Sequence, residues 1–125
     1  MKKLEKKILL IEDQSELRAE ITESLKEIGY KVFSVKNILG AIKFLESKLP
    51  DLVITEISIP KTDGFQFLDY LRKLPKTSLI PVIFLSAKMD STILKKIIRY
   101  NINNYLKKPF KYSDLQRIVG ELLKD

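Results

Sequence analysis

The sequence has no cysteine and no histidine, and only four of its 125 residues are glycine. The first absence excludes disulfides, thiolate metal ligands and cysteine nucleophiles. The second excludes catalytic and metal-binding imidazoles. No Gly/Ser-rich linker or low-complexity tract interrupts the chain. A site in this protein therefore has carboxylates, hydroxyls and basic side chains to work with.

The length suits one compact domain, residues 1–125, and is too short for two ordinary ones. Apolar residues make up 45% of the chain, which is enough for a sizeable core. The charged start, Met1 to Lys7, is followed by only four apolar residues. We therefore predict neither a signal peptide nor a membrane span, and we expect a cytoplasmic protein.

Lysine and arginine number 23 against 16 acidic residues, which gives a net charge of +7. Such an excess favours acidic partners, including nucleic acid. It is equally typical of a lysine-rich solvated surface.

Five short apolar runs predict β-strands. They lie within residues 8–11, 31–35, 51–57, 80–85 and 103–106. Most are continuously apolar, as is typical of strands covered on both faces of a parallel sheet.

The segments between these runs have helical spacing. In the first, apolar residues recur at intervals of four, four and three from Leu17 to Ile28, with Ser15 as the predicted cap and Gly29 as the stop. Four further apolar faces are predicted: Ile38, Ala41, Ile42 and Leu45; Phe65, Leu68 and Leu71; Ile93, Leu94, Ile97 and Ile98; and Leu115, Ile118, Val119 and Leu122.

Asn37 is the predicted cap of the second helix, and Ser113 stands near the start of the fifth. Five βα units in this length imply an α/β fold with a doubly wound parallel sheet and right-handed crossovers. In such folds the functional site lies beyond the carboxyl ends of the strands.

Charged and polar residues stand at the ends of four predicted strands: Glu12 and Asp13, Glu56, Ser86, and Lys107 with Lys108. Clustered carboxylates repel one another unless a cation intervenes, and oxygen ligands favour Mg²⁺. A lysine and a hydroxyl beside them could bind phosphoryl oxygens. The combination indicates metal-assisted chemistry on a phosphoryl group. Taken singly, each feature is as typical of a helix start, a turn or plain surface.

Five ordered blocks resemble response-regulator receiver domains. They are residues 8–14 (ILLIEDQ), 50–56 (PDLVITE), 59–64 (IPKTDG), 81–87 (PVIFLSA) and 104–110 (NYLKKPF). The resemblance implies a flavodoxin-like sheet of five strands in the order 2-1-3-4-5, with five helices.

The resemblance also implies a role for individual residues. Glu12 and Asp13 resemble the acidic metal-binding pair, and the backbone carbonyl of Ser58 takes the place that completes the metal site. Glu56 holds the phosphoacceptor position, and Lys108 resembles the phosphate-pairing lysine. Ser86 resembles the switch hydroxyl, and Tyr105 resembles the aromatic residue that turns inward on activation. Lys107 does not match the motif and is interpreted as surface.

The family uses aspartate where this chain has Glu56. The extra methylene moves the attacking oxygen by roughly 1.5 Å. A misplacement of about 1 Å can cost on the order of 10²-fold in rate, so phosphorylation is expected to be impaired. The longer side chain could also extend toward Ser86 and Lys108 and partly imitate a phosphoryl group. An active-like receiver and a silent interaction module both remain open.

From Ser91 to Ser113 there is no acidic residue. The basic residues of this stretch that we predict as a partner face are Lys95, Lys96, Arg99 and Lys111. It lies on the fourth helix, fifth strand and fifth helix, which receivers commonly use to dimerise or to bind partners. An acidic protein or a phosphate backbone would suit its charge, although solvated lysines explain it too. No recognition helix or stacking platform supports direct reading of nucleic acid.

Three hypotheses follow. The first is a non-enzymatic, phosphorylation-independent signalling module that binds a histidine kinase, an effector or a second copy of itself, with at most weak Mg²⁺ binding. The second is a conventional Mg²⁺-dependent switch that accepts phosphate on Glu56. The third is a basic adaptor that binds nucleic acid or an acidic protein. Whether an output domain follows Asp125 stays open.

Overall fold

The structure, a computed structural model, describes residues 5–59 and 62–124, without the side chains of Ile59 and Thr62. Most of the charged start, two residues of the 59–64 block, and Asp125 fall outside this description. None of the helices in the described ranges has both the length and the apolar character of a membrane-spanning segment.

Five parallel strands form the main sheet in the order β2-β1-β3-β6-β7. Their bounds are β1 (Lys7–Ile11), β2 (Lys31–Val35), β3 (Leu52–Glu56), β6 (Val82–Ser86) and β7 (Tyr105–Lys107). Since β6 and β7 are the fourth and fifth strands of this sheet along the chain, the predicted order 2-1-3-4-5 is confirmed.

The five predicted helices are present, and a small hairpin that we did not predict precedes the third. The helices are α1 (Ser15–Glu27), α2 (Ile38–Leu45), α3 (Gly64–Lys73), α4 (Ser91–Arg99) and α5 (Tyr112–Leu122). The antiparallel hairpin pairs β4 (Ser58–Ile59) with β5 (Thr62–Asp63).

Alternate residues of the central strands enter two separate apolar clusters, one on each face of the sheet. In β1, Leu9 and Ile11 pack with residues of α2, α3 and α4, whereas Ile8 and Leu10 pack with residues of α1 and α5. The burial of both faces is the physical reason why these strands are continuously apolar.

The predicted cap of α1 is wrong, whereas Ser113 does stand near the start of α5. Gln14 is the cap residue of α1 and makes no side-chain capping bond, so Ser15 is the first helical residue. Ser113 lies inside the first turn of α5, which is preceded by Lys111. Gly29 does end the first helical segment. Its φ of +99° lies in the left-handed region, which residues with a side chain rarely adopt.

Asn37 caps α2 as predicted, since the amide N–H of Gly40 donates to its Oδ1 at 2.9 Å. Asp63 does the same for α3, because the amide N–H of Gln66 donates to its Oδ1 at 2.8 Å. The cap at Asp63 fixes the start of α3 immediately after the hairpin and next to the carboxyl end of β3.

The predicted apolar face of α4 is wrong for two of its four residues. Only Ile97 is buried, and Ile93 packs partly against the same cluster. Leu94 and Ile98 are 41% and 78% exposed. Residues four apart lie on one side of a helix, so Leu94 and Ile98 form an outward apolar row.

Candidate functional site

The predicted cluster forms at the carboxyl edge of the sheet. Glu12 follows β1, Glu56 ends β3, Ser86 ends β6 and Lys108 follows β7. Glu12, Glu56 and Ser86 are all buried, with exposures of 1%, 5% and 1%. Buried carboxylates are costly unless they are paired, so the local partners determine what this edge can do.

Lys108 supplies the pairing for both buried carboxylates. Its Nζ lies 2.9 Å from Oε1 of Glu12 and 2.5 Å from Oε2 of Glu56. The contact with Glu12 is a hydrogen bond as well as an ion pair. The contact with Glu56 is an ion pair only, and Oε2 of Glu56 has no hydrogen-bond donor within the described residues. Lys107, which did not match the motif, is exposed on β7.

Further bonds fix Glu12 and its neighbourhood. The amide N–H of Gln14 donates to Oε2 of Glu12 at 3.2 Å. The Nη1 of Arg18 donates to the carbonyl of Glu12 at 2.8 Å. The sequence prediction missed the contact of Arg18. Its position one turn into α1, close to the end of β1, was the only feature of the sequence that could have indicated it. The first bond orients the Glu12 carboxylate, and the second fixes the backbone that carries it.

Burial and charge act in opposite directions on this group. Burial raises the pKa of the Glu56 carboxyl above its usual value of 4.5, and the pull of Lys108 in the other direction does not cancel it. Burial lowers the pKa of Lys108, but Glu56 and Glu12 together outweigh that effect and hold it above 10.5. Lys108 therefore stays charged, and Glu56 is the member of the group that protonates more readily than an ordinary glutamate.

The predicted magnesium ligands do not converge in this arrangement. Asp13 is exposed, and its carboxylate makes no hydrogen bond or ion pair in the described part of the chain. Ser58 is also exposed, on β4. No three acidic side chains in residues 5–59 and 62–124 are grouped closely enough to hold a metal ion. The oxygen donors suit Mg²⁺ chemically, but the ammonium of Lys108 already pairs with both Glu12 and Glu56, so as arranged these residues do not fit a resident ion.

Neither Ser86 nor Tyr105 makes a hydrogen bond with Glu56 in the described part of the chain. The hydroxyl of Ser86 donates to the carbonyl of Lys88 at 2.5 Å and accepts from the amide N–H of the same residue at 3.2 Å. Tyr105 is 41% exposed on β7. The longer side chain of Glu56 thus reaches Lys108, as expected, but makes no hydrogen bond with Ser86.

Gly64 allows the start of α3 to approach the end of β3. An added Cβ would lie 2.8 Å from the ring of Phe84 and 2.9 Å from the carbonyl oxygen of Glu56. The amide N–H of Gly64 also donates to the carbonyl of Ile57 at 2.8 Å. A larger residue would push the helix away from the strand end that carries Glu56.

The predicted partner face is mostly accessible. Lys95, Arg99 and Lys111 are exposed and make no ion pair within the described residues. Lys96 is half-buried, with its Nζ 5.5 Å from the centre of the Phe65 ring, so it is less available to a partner. The outward row of Leu94 and Ile98 runs along the same helix, which therefore presents apolar and basic groups together.

Comparison with known proteins gives a consistent result. A family model described as "Response regulator receiver domain" matches residues 8–120. The sensory transduction protein BceR of Halalkalibacterium halodurans is 36% identical over 118 residues, which cover 94% of this chain and 50% of that protein. The chain thus spans about half the length of curated relatives such as BceR.

Solved structures extend the likeness to the backbone. The signal receiver domain of a signal transduction histidine kinase from Syntrophus aciditrophicus gives a TM-score of 0.88 at 30% identity and covers 94% of this chain and 89% of that one. The receiver domain of a sensor histidine kinase from Pseudomonas aeruginosa, solved with magnesium coordinated in its active site cleft, gives a TM-score of 0.85 at 28% identity, with coverages of 95% and 98%.

Proposed function

The chain belongs to the response regulator receiver domain family, and we propose that it signals by binding partner proteins, without accepting a phosphoryl group. A receiver domain is a signalling module of two-component systems. We propose that residues 1–125 act as one such domain. The finer proposal rests on the contacts of Glu56 and on the surface of α4.

The observation that carries the proposal is the close ion pair between Glu56 and Lys108. The Lys108 ammonium sits 2.5 Å from one carboxylate oxygen of Glu56 and also binds Glu12. The Glu56 carboxylate is buried and held by a lysine, and its side chain is one methylene longer than the family's aspartate. We infer that it is poorly placed for in-line attack. Displacement by about 1 Å already costs on the order of 10²-fold in rate.

Magnesium binding is expected to be weak for the same reason. A cation entering beside Glu12 and Glu56 would have to compete with the charge of Lys108. Asp13 is the one acidic side chain of the predicted set that is exposed and without a partner among the described residues. One free carboxylate and a backbone carbonyl make a poor site for an ion that prefers octahedral oxygen coordination.

The orientations of Ser86 and Tyr105 favour partner binding over a permanently active-like state. Ser86 is bonded to Lys88, and Tyr105 is exposed. An imitation of the phosphorylated state by Glu56 would require a bond from Ser86 and an inward Tyr105. We therefore propose that the output of the module depends on its partner and not on a fixed active conformation.

An acidic protein surface is the partner that best fits α4. The exposed Leu94 and Ile98 can be buried by another protein, and Lys95 and Arg99 beside them would attract carboxylates. A second copy using the same face would bring like charges together, which disfavours self-pairing there. Nucleic acid would use the charge but would leave the apolar row exposed.

The proposal is tested with Mg²⁺ and a small acyl-phosphate donor, followed by intact-mass measurement and mapping of any modification. The natural protein, Glu56→Asp and Glu56→Gln are compared, the last as a control that cannot be phosphorylated at this position. We expect only Glu56→Asp to gain a phosphoryl group. Modification of the natural protein at Glu56 would instead establish the conventional switch.

A result in which none of the three proteins is modified would contradict our account of the cause. The defect would then extend beyond Glu56, for example to the metal ligands. The partner arm is tested separately by the salt dependence of binding to a DNA duplex at low ionic strength. Tight binding that is lost when Lys95, Lys96 and Arg99 are changed together would favour the nucleic-acid adaptor.

A further inference from the structure

A cavity of about 280 Å³ lies far from Lys108 along the strands, toward the amino ends of β6 and β7. Its walls come from α3, from the start of β6 and from the loop of residues 100–104 that follows α4. The volume is just below the range for drug-sized ligand sites, roughly 300–1,000 Å³, and so suits only a small ligand. Nothing in the proposed function uses it.

Arg72 provides the positive charge of this cavity. Within the described residues its guanidinium makes one hydrogen bond, from Nη1 to the carbonyl of Thr77 at 3.4 Å, and no ion pair. Burial lowers the pKa of Arg72, and no carboxylate opposes that effect. The residue as a whole is nevertheless exposed to solvent. Most of its five N–H donors are therefore available to a ligand.

Three asparagines line the same cavity. They are Asn101, Asn103 and Asn104. None of their side-chain amides makes a hydrogen bond within the described part of the chain. Asn101 adopts a left-handed backbone conformation with φ of 59°, at the point where the chain leaves α4. Each amide can donate and accept, so this loop offers several unused polar groups beside the Arg72 guanidinium.

No acidic residue lines the cavity. Asp69 lies on the same helix as Arg72, three residues before it, and its carboxylate accepts a hydrogen bond from the hydroxyl of Tyr100 at 3.4 Å. The remaining wall is apolar and includes Leu68, Val82 and the ring of Tyr100. A guanidinium, free amides and an apolar wall together suit a ligand with one negative charge and a compact apolar body.

We propose that this cavity binds a small organic anion whose carboxylate pairs with Arg72 and whose body rests against Leu68, Val82 and Tyr100. A carboxylate matches the planar fork of a guanidinium and can accept two parallel hydrogen bonds from it. The amides of Asn101 and Asn103 supply the additional polar contacts that orient the ligand. The site is independent of Glu56 and of any phosphoryl chemistry.

Benzoate is a suitable probe, with benzamide as its uncharged match. Amide resonances of the whole ¹⁵N-labelled chain are followed while each compound is added to about 10 mM, tenfold above a Kd of about 1 mM. We expect saturable shifts at residues 100–104 with benzoate and none with benzamide. Arg72→Gln should weaken binding at least about tenfold, the effect of losing about 1.4 kcal/mol, whereas Lys73→Gln, the exposed neighbour, should not change it.

Asn103→Asp provides a second variant in case the loss of Arg72 disturbs the fold. Asn103 is exposed and has no side-chain hydrogen bond in the described residues, so its change to aspartate adds a negative charge with little change of shape. This variant should also abolish the benzoate shifts. The proposal is overturned if benzoate causes no saturable shift, if benzamide binds equally well, or if Arg72→Gln and Asn103→Asp both bind like the natural protein.

Discussion

At the carboxyl edge of the sheet, Lys108 pairs with both Glu12 and Glu56, whereas on α4 Lys95 and Arg99 have no acidic partner in the described part of the chain. The first group is buried, and its charges are part of what holds the strand ends together. The second group is exposed beside an apolar row that no part of the described chain covers. The buried charges at the sheet edge pair with one another within the fold, whereas the exposed charges of α4 are accessible to other molecules. Substitutions in each region should therefore have different consequences.

Lys108→Met should produce the largest loss of stability, about 3 kcal/mol, because it leaves two carboxylates buried without a cation. We place the loss at the lower end of the range for a broken buried pair because the Lys108 side chain is 17% exposed. Urea denaturation at neutral pH measures it. The matched control, Lys107→Met, should stay within about 0.5 kcal/mol of the natural protein. A loss below about 1 kcal/mol for Lys108→Met would contradict the claim that this lysine holds the edge together.

Adjacent isoleucines on α4 test the outer region. Ile97 is 5% exposed and Ile98 is 78% exposed. Ile97→Ala should lower the free energy of unfolding by about 2–3 kcal/mol because it leaves a cavity in the core. Ile98→Ala should change it by less than about 0.5 kcal/mol. Equal losses of stability in thermal or urea denaturation would mean that Ile98 is covered. The outward apolar row would then not be available to a partner.

Prediction from the sequence succeeded for the sheet and failed for the inward side of α4. Every main strand followed from its apolar run, and the strand order followed from the resemblance to receiver domains. The inward side of α4 did not. Ile93, Leu94, Ile97 and Ile98 fill two neighbouring rows of one helix, and the sequence contains nothing that decides which row the sheet covers.

Contacts at the site show the same limit. The reach of Glu56 to Lys108 follows from its length and from the parallel strands, so it could be predicted. The turn of Ser86 toward Lys88 and the bond from Arg18 to the carbonyl of Glu12 depend on side-chain rotation and loop path. Those are set by neighbours that are distant in sequence, and no residue pattern reports them.

Gly64 is a crowded position beside the buried group, whereas Gly120 is an open position on a helix. Gly64→Ala should cost about 1–3 kcal/mol, because the new methyl would meet the Phe84 ring and the Glu56 carbonyl at 2.8 and 2.9 Å. Gly120→Ala, with nothing within 4 Å of the added carbon, should instead stabilise α5 by about 0.5–1 kcal/mol. Opposite shifts in melting temperature confirm the difference. A neutral Gly64→Ala would show that α3 can move away from β3 without cost.

The smallest expected effect is the pH dependence that Glu56 contributes. Burial raises the pKa of its carboxyl above 4.5, so between that value and the folded-state pKa the native protein holds more protons than the unfolded chain. The free energy of unfolding should then fall as pH rises through this window, by at most about 1.4 kcal/mol per pH unit. Glu56→Gln removes this dependence, and so the stability of the natural protein should fall relative to the variant as the pH is raised from acid to neutral.

Glu23→Gln, an exposed position on α1 without a side-chain partner in the described residues, is the control and should leave the pH profile unchanged. The sign of the Glu56 result decides which force prevails at the buried edge. A relative fall with rising pH means that desolvation of Glu56 outweighs the attraction of Lys108. A relative gain would mean that Lys108 stabilises the ionised carboxylate by more than burial costs, and the pKa of Glu56 would then lie below its usual value.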